Sequence, residues 1–155
     1  MQARQVYILR SIADDMKQVL TRRGIAFLYD LTGLIGRGKV SLLNKELPLT
    51  VGIDPTECLL TLTIELPVLF ADADNGIAAQ ALCLVNDGLT AGCFDLHDGA
   101  VSIRASTFFR DSQIGVQALL DLLELCLALA EVHLVSLTRL SLREISLERF
   151  TATLL

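Results

Sequence analysis

The hydrophobic pattern is densest between Asp111 and Val132, where IGVQALLDLLELCLALAEV follows the N-cap candidates Asp111 and Ser112. Its polar positions, Gln117, Asp121, Glu124 and Glu131 with Ala128 in the gap, recur at steps of four and three. They form one narrow stripe down a helix, and nearly everything else around it is aliphatic. A surface helix shows the reverse proportions. This pattern predicts a core helix covered on more than one side. Three acidic residues break the run well short of the roughly 20 apolar residues a bilayer span needs.

The remaining elements follow from shorter patterns. Arg4 to Arg23 keeps helical spacing through Val6, Leu9, Ile12, Ala13, Met16, Val19 and Leu20, and Gly24 stops it. Ile25 to Leu31 reads as a strand, TGLIGRG as a turn, and Lys39 to Leu43 as a second strand. NKELPLTVGIDPTE is punctuated by Pro48, Gly52 and Pro55 and reads as irregular. Glu57 to Leu66 alternates, with Cys58, Leu60, Leu62, Ile64 and Leu66 on the apolar face. Asp72 and Asp74 cap a helix over residues 75–87, with Ile77, Ala81, Leu84 and Val85 on one face.

From Ala91 to Phe109 a hairpin turns at Asp98-Gly99, the residues of a type I′ loop. Partners then sum to 197, so Leu96 faces Val101, Phe94 faces Ile103 and Gly92 faces Ala105. Asp95 lies diagonal to Arg104, within reach of an ion pair. After His133 the segment LVSLTRLSLREISLERFTATLL carries both a Ser141-x-x-Glu144 capping box and a strand-like alternation. The order α-β-β-β-α-β-β-α gives an α+β fold, a single antiparallel sheet packed against helices.

Composition narrows the function classes. Of 155 residues 52% are hydrophobic, tryptophan is absent, and net charge is −5. Mean hydropathy is +0.54. An aliphatic surplus of this size points to an oligomer interface or groove. The acidic balance argues against nucleic acid and anionic membranes as partners. Cys58, Cys83, Cys93 and Cys126 form no CxxC pair, and MQARQVYILRSIADD lacks the pattern of a signal peptide. Reduced thiols in the cytoplasm are the expectation.

One motif carries chemistry on paper. Gly33 to Lys39 satisfies G-x-x-x-x-G-K, the phosphate-cradling loop. Val40 replaces the magnesium-ligating hydroxyl and no helix follows, so a turn between strands with Lys39 solvated is the expected reading. His97 at the hairpin tip and His133 at the end of the core helix read as solvent-facing or capping residues. No metal-ligand spacing, nucleophile elbow or supported catalytic cysteine is present in the sequence. Neither an enzyme nor a cofactor is expected.

Leu84-Val85-Asn86 at a helix end, Gly92-Cys-Phe94 opening a strand, Asp98-Gly99 at a hairpin tip, Arg104 and a leucine-rich helix ending Ala128-Leu-Ala130 together resemble the YbjN family. That family has the fold of type III secretion chaperones. The resemblance implies a chaperone-like domain over residues 1–135 and a C-terminal extension over 136–155 packed on it. It implies a cytoplasmic homodimer, paired through Ile77, Ala81 and Leu84, that binds a polypeptide partner or acts as a regulator. The rival classes are a small-molecule or nucleotide binder using the Gly33–Lys39 loop and a structural subunit of a complex.

Overall fold

The computed structural model describes residues 3–30, 32, 34–109 and 116–154. Helix α1 (Ala3–Arg22) leads into strands β1 (Phe27–Asp30), β2 (Ile35–Leu42), β3 (Lys45–Asp54) and β4 (Leu59–Leu69). A 3-10 turn (Asp72–Asp74) precedes α2 (Asn75–Asp87), and the hairpin β5 (Cys93–His97) and β6 (Ala100–Phe108) follows. Helices α3 (Val116–Ser141) and α4 (Leu147–Thr151) close the chain. The strands form one antiparallel sheet in the order β1-β2-β3-β4-β6-β5. The fold is α+β, a single antiparallel sheet with helices packed against it.

The sheet holds one strand more than the pattern predicts. Leu47, Leu49, Val51 and Ile53 of β3 alternate into the core and are buried. Pro48 masked the strand, because proline has no N–H for a ladder. It pairs only toward Lys39, since the ladder to β4 starts at Leu49. The β2–β3 turn is also disguised. Leu43 and Asn44 both adopt positive φ, 49° and 61°, which makes a two-residue hairpin without the usual Asn-Gly.

Alternate residues of β4 (Leu60, Leu62, Ile64, Leu66 and Val68) are buried on one face. Thr50, Thr61, Thr63 and Arg104 are not, and they share the opposite face. Across that face the Thr61 and Ser106 hydroxyls hydrogen-bond at 2.9 Å. Cys58 departs from the expected alternation. It sits exposed at φ 52° in the turn before β4, where the Asp54 carboxylate accepts the N–H groups of Thr56 and Glu57 at 2.8 and 3.1 Å.

Helix α3 buries Leu119, Leu123, Cys126, Ala130, Leu134, Leu137 and Leu140, at steps of four and three. This stripe packs on β4 and β6, while α1 packs against another part of the helix. Leu120, Leu122, Leu125, Leu127 and Leu129 are half-buried beside it. Gln117, Asp121, Glu124, Ala128 and Glu131 are exposed, as the stripe predicts. The helix runs unbroken past residue 135 to Ser141. Ser141 ends it, its hydroxyl donating to the Thr138 carbonyl, and Ser146 is the cap of α4. Phe150 of α4 is fully buried in the same core. The caps expected at Asp111 and Ser112 lie outside the described residues.

Helix α1 ends in a Schellman motif. The Ile25 N–H reaches the Leu20 carbonyl at 2.9 Å and the Gly24 N–H reaches Thr21, with Gly24 at φ 74°. This geometry sets where β1 can begin.

Candidate functional site: a groove across the short edge of the sheet

β1 is four residues long and β2 eight, and their ladder runs only from Phe27↔Gly38 to Asp30↔Ile35. The Lys39–Leu42 half of β2 therefore has β3 on one side and, among the described residues, no ladder partner on the other. In a strand, alternate residues direct N–H and C=O to the same edge, so this half leaves backbone groups available for pairing. A groove of about 920 Å³ opens just before β1 begins. Its apolar lining includes Ile25, Phe27, Leu28, Leu123 and Leu127, and Lys17, Thr21 and Arg23 come from α1 and its end. Arg37, Lys39, Ser41 and Glu46 lie on its sheet side.

The charges here are uneven. Lys39 pairs with Glu46 at 3.1 Å, and Arg23 pairs with Glu124. Among the described residues no carboxylate pairs with Lys17 or Arg37. Four cations and one carboxylate line this groove in a chain of net charge −5.

The glycine motif is not a phosphate cradle. Gly36 and Gly38 lie inside β2 rather than in a flexible connection, and Lys39 is a mid-strand residue. A Cβ on Gly36 would stand 2.0 Å from Phe27 Cζ, and one on Gly38 would stand 2.9 Å from the Ala26 carbonyl oxygen. The Phe27 ring leaves no room for a side chain at Gly36, and the Ala26 carbonyl leaves none at Gly38. No helix follows to present N–H groups, so the site lacks what phosphate recognition needs. Gly33 lies outside the described residues.

The motif residues at the other end of the sheet hold the fold. The Asn86 amide accepts the Phe94 N–H at 2.7 Å and donates to the Phe94 carbonyl at 2.9 Å. It thereby ties the end of α2 to strand β5 as a neighbouring strand would. Gly92 has φ 73° and Leu129 would lie 3.1 Å from a Cβ there. Asp98 and Gly99 both have positive φ, and the hairpin register sums to 197 as predicted. Arg104 pairs with Asp95 at 3.0 Å and approaches Cys93 Sγ at 3.9 Å.

His133 is not a solvent-facing residue at a helix end. It lies within α3, half-buried, edge-on to Phe94 with ring centroids 5.4 Å apart, and burial lowers its pKa. His97 is exposed beside Asp98. Asp74 does not cap α2 with its side chain. Asp74 is 9% exposed, and its carboxylate takes a bidentate pair from Arg143 at 2.9 and 3.1 Å, which ties α2 to the segment after α3. On α2, Ile77 and Leu84 are exposed, and Ala81 between them is buried within the chain. Cys126 is buried, and desolvation pushes its thiol up to about 12. Among the described residues no group of three His, Cys, Asp or Glu is placed to hold a metal. No described helix is long and apolar enough to cross a membrane.

The groove was missed in the sequence because its residues come from five elements. The one available signal was the inverted parity at Arg37 and Lys39, two cations on the same strand face.

This antiparallel sheet with helices packed against it matches the fold of solved type III secretion chaperones. Solved structures make the likeness specific. A chain of the ExsC–ExsE complex is similar at TM-score 0.55 and 17% identity, over 88% of this chain and 97% of that one. The Yersinia pestis type III secretion chaperone SycH, solved with a stable fragment of YscM2, is similar at TM-score 0.51 and 12% identity, over 79% and 98%. No protein-family profile and no curated protein matches the sequence.

Proposed function

We propose that this chain is a non-enzymatic, cytoplasmic binding module of the secretion-chaperone or YbjN-regulator kind, holding a segment of a polypeptide partner. The observation that carries this reading is the groove at the start of β1, beside the Lys39–Leu42 half of β2 that β1 does not reach. An extended segment laid there gains main-chain hydrogen bonds from β2 and places alternate side chains on Leu28, Leu123 and Leu127. Both similar structures are complexes of two different chains, which supports the same reading. The chaperone-like unit expected over residues 1–135 extends through α4 in this reading, which α3 running unbroken across residue 135 and Phe150 buried in the same core support.

The module acts as a homodimer, with the exposed Ile77 and Leu84 of α2 at the seam and Ala81 supporting them from within. Light scattering then gives twice 16.9 kDa, and Ile77→Glu with Leu84→Glu gives 16.9 kDa. For the groove, a displayed library of twelve-residue random peptides is selected against the protein. Hydrogen exchange with a selected peptide is expected to protect residues 39–42, and Leu28→Asp, at a side chain 81% exposed, is expected to abolish binding without unfolding the chain. Selected peptides that protect only other surfaces, or a library that yields no binder, would refute the reading.

A further inference from the structure

The groove is basic in an acidic protein, and from this we propose that its occupant is an acidic, extended peptide segment. The inference rests on the polypeptide-binding reading and adds the charge of the partner. Lys17, Arg23, Arg37 and Lys39 line the groove against Glu46 alone, while the chain as a whole carries −5. Long-range repulsion from the rest of the surface works against an anionic partner, so the selectivity must come from these four residues at short range.

The cations differ in availability. Arg23 and Lys39 are already in exposed pairs with Glu124 and Glu46, and such pairs exchange partners at little cost. Lys17 and Arg37 have no carboxylate partner among the described residues. They stand on opposite sides of the groove, Lys17 on α1 and Arg37 on β2. Leu28, the ladder partner of Arg37, shares its face, and Leu123 and Leu127 of α3 line the groove as well, so its lining is apolar apart from these charges.

A strand laid along Lys39–Leu42 points its side chains alternately to the two faces of the sheet. On one face it meets Lys17 and Leu127, and on the other Arg37 and Lys39. A segment with carboxylates on both sides of its backbone, interleaved with leucine-sized residues, satisfies both rims. The guanidinium of Arg37 holds a carboxylate in a bidentate fork, which makes it the specificity-determining residue.

The test uses the full chain and three fluorescein-labelled ten-residue peptides, in which leucine is combined with glutamate, with glutamine or with lysine. Anisotropy titrations at 50 and 300 mM salt give the affinities. The glutamate peptide is expected to bind at least tenfold tighter than the glutamine peptide at 50 mM salt, with the difference shrinking at 300 mM. Arg37→Glu and Lys17→Glu are each expected to remove that advantage, and Arg149→Glu on α4 to leave it. Thermal melts of all three variants check folding, and Arg37→Gln provides a neutral second variant.

Equal binding of the glutamate and glutamine peptides overturns the acidic occupant and leaves the polypeptide reading standing. Loss of the advantage in Arg149→Glu alone does the same. If none of the three peptides binds, both readings fail together. If peptides do not bind while Arg37→Glu halves the mass in light scattering, the occupant is a second copy of the chain, which also overturns the proposal.

Discussion

Replacing Gly36 with alanine tests whether β2 is shaped by packing or by a ligand. The new Cβ would sit 2.0 Å from Phe27 Cζ and 2.7 and 2.8 Å from the two Cε atoms. Carbon atoms in contact stand ~3.5–4 Å apart, so the ring must retreat by at least ~1.5 Å. Phe27 is 5% exposed and stacks against Tyr29, centroids 6.5 Å apart, so it cannot move alone. Overpacking of this kind costs ~1–3 kcal/mol. Alanine also narrows the unfolded ensemble, which returns ~0.4–1 kcal/mol where the native φ suits it.

The net destabilisation of Gly36→Ala is therefore about 1–2 kcal/mol, or a fall in Tm of roughly 2–8 °C for a chain of this size. Urea titration followed by circular dichroism measures it. Phe27→Leu by itself costs ~1–2 kcal/mol through the space it leaves. Because that space is where the alanine methyl goes, the double variant should fall short of the sum by ~1 kcal/mol or more. A neutral Gly36→Ala, or strict additivity with Phe27→Leu, would refute the packing argument. It would return the glycines to the phosphate-loop reading, which predicts a change in ligand binding and none in stability.

Other outcomes follow from the same structure. Asn86→Ala strands both the N–H and the carbonyl of Phe94 and is expected to cost ~1–3 kcal/mol in urea unfolding. An unchanged midpoint would mean that water replaces the amide. Burial holds the His133 pKa below 6.5. The unfolded chain binds that proton first, so the stability contributed by neutral His133 is complete above about pH 6.5 and is lost as pH falls. The urea midpoint should decline from pH 7 to pH 5.5, and His133→Phe should flatten the decline.

Desolvation raises Cys126 and Tyr29 to about 12. Their contribution is complete below the unfolded-state values of 9.0 and 10.0 and is lost as pH rises through 12, which Cys126→Ala should blunt. With a disulfide reagent at pH 8, the exposed Cys58 and Cys83 should react at once and Cys126 only in urea. Equal rates for all four thiols would contradict the burial of Cys126.

Sequence alone determined those parts of the molecule whose pattern and chemistry agree locally. The β5–β6 hairpin was legible because Asp98-Gly99 fixes the loop, the loop fixes the register, and the register puts Phe94, Val101, Ile103 and Ala105 on one buried face. The approximate span of helix α2 was legible, and the exposed stripe of α3 followed from spacing. β3 was hidden because Pro48 and Gly52 are breakers in isolation. In the sheet, Pro48 falls where no β4 ladder asks for its N–H, a fact that exists only once β4 is in place.

The same holds for Gly36 of β2, whose missing side chain is explained by Phe27, a residue nine positions earlier on another strand. The groove depended most on tertiary structure. The Schellman turn at Gly24 delays β1, the late start leaves half of β2 unpaired, and α3 brings Leu123 and Leu127 to the gap from nearly a hundred residues away. Periodicity reports which face of an element is apolar. It carries no information about where two elements of unequal length stop pairing, and that mismatch is what made the site.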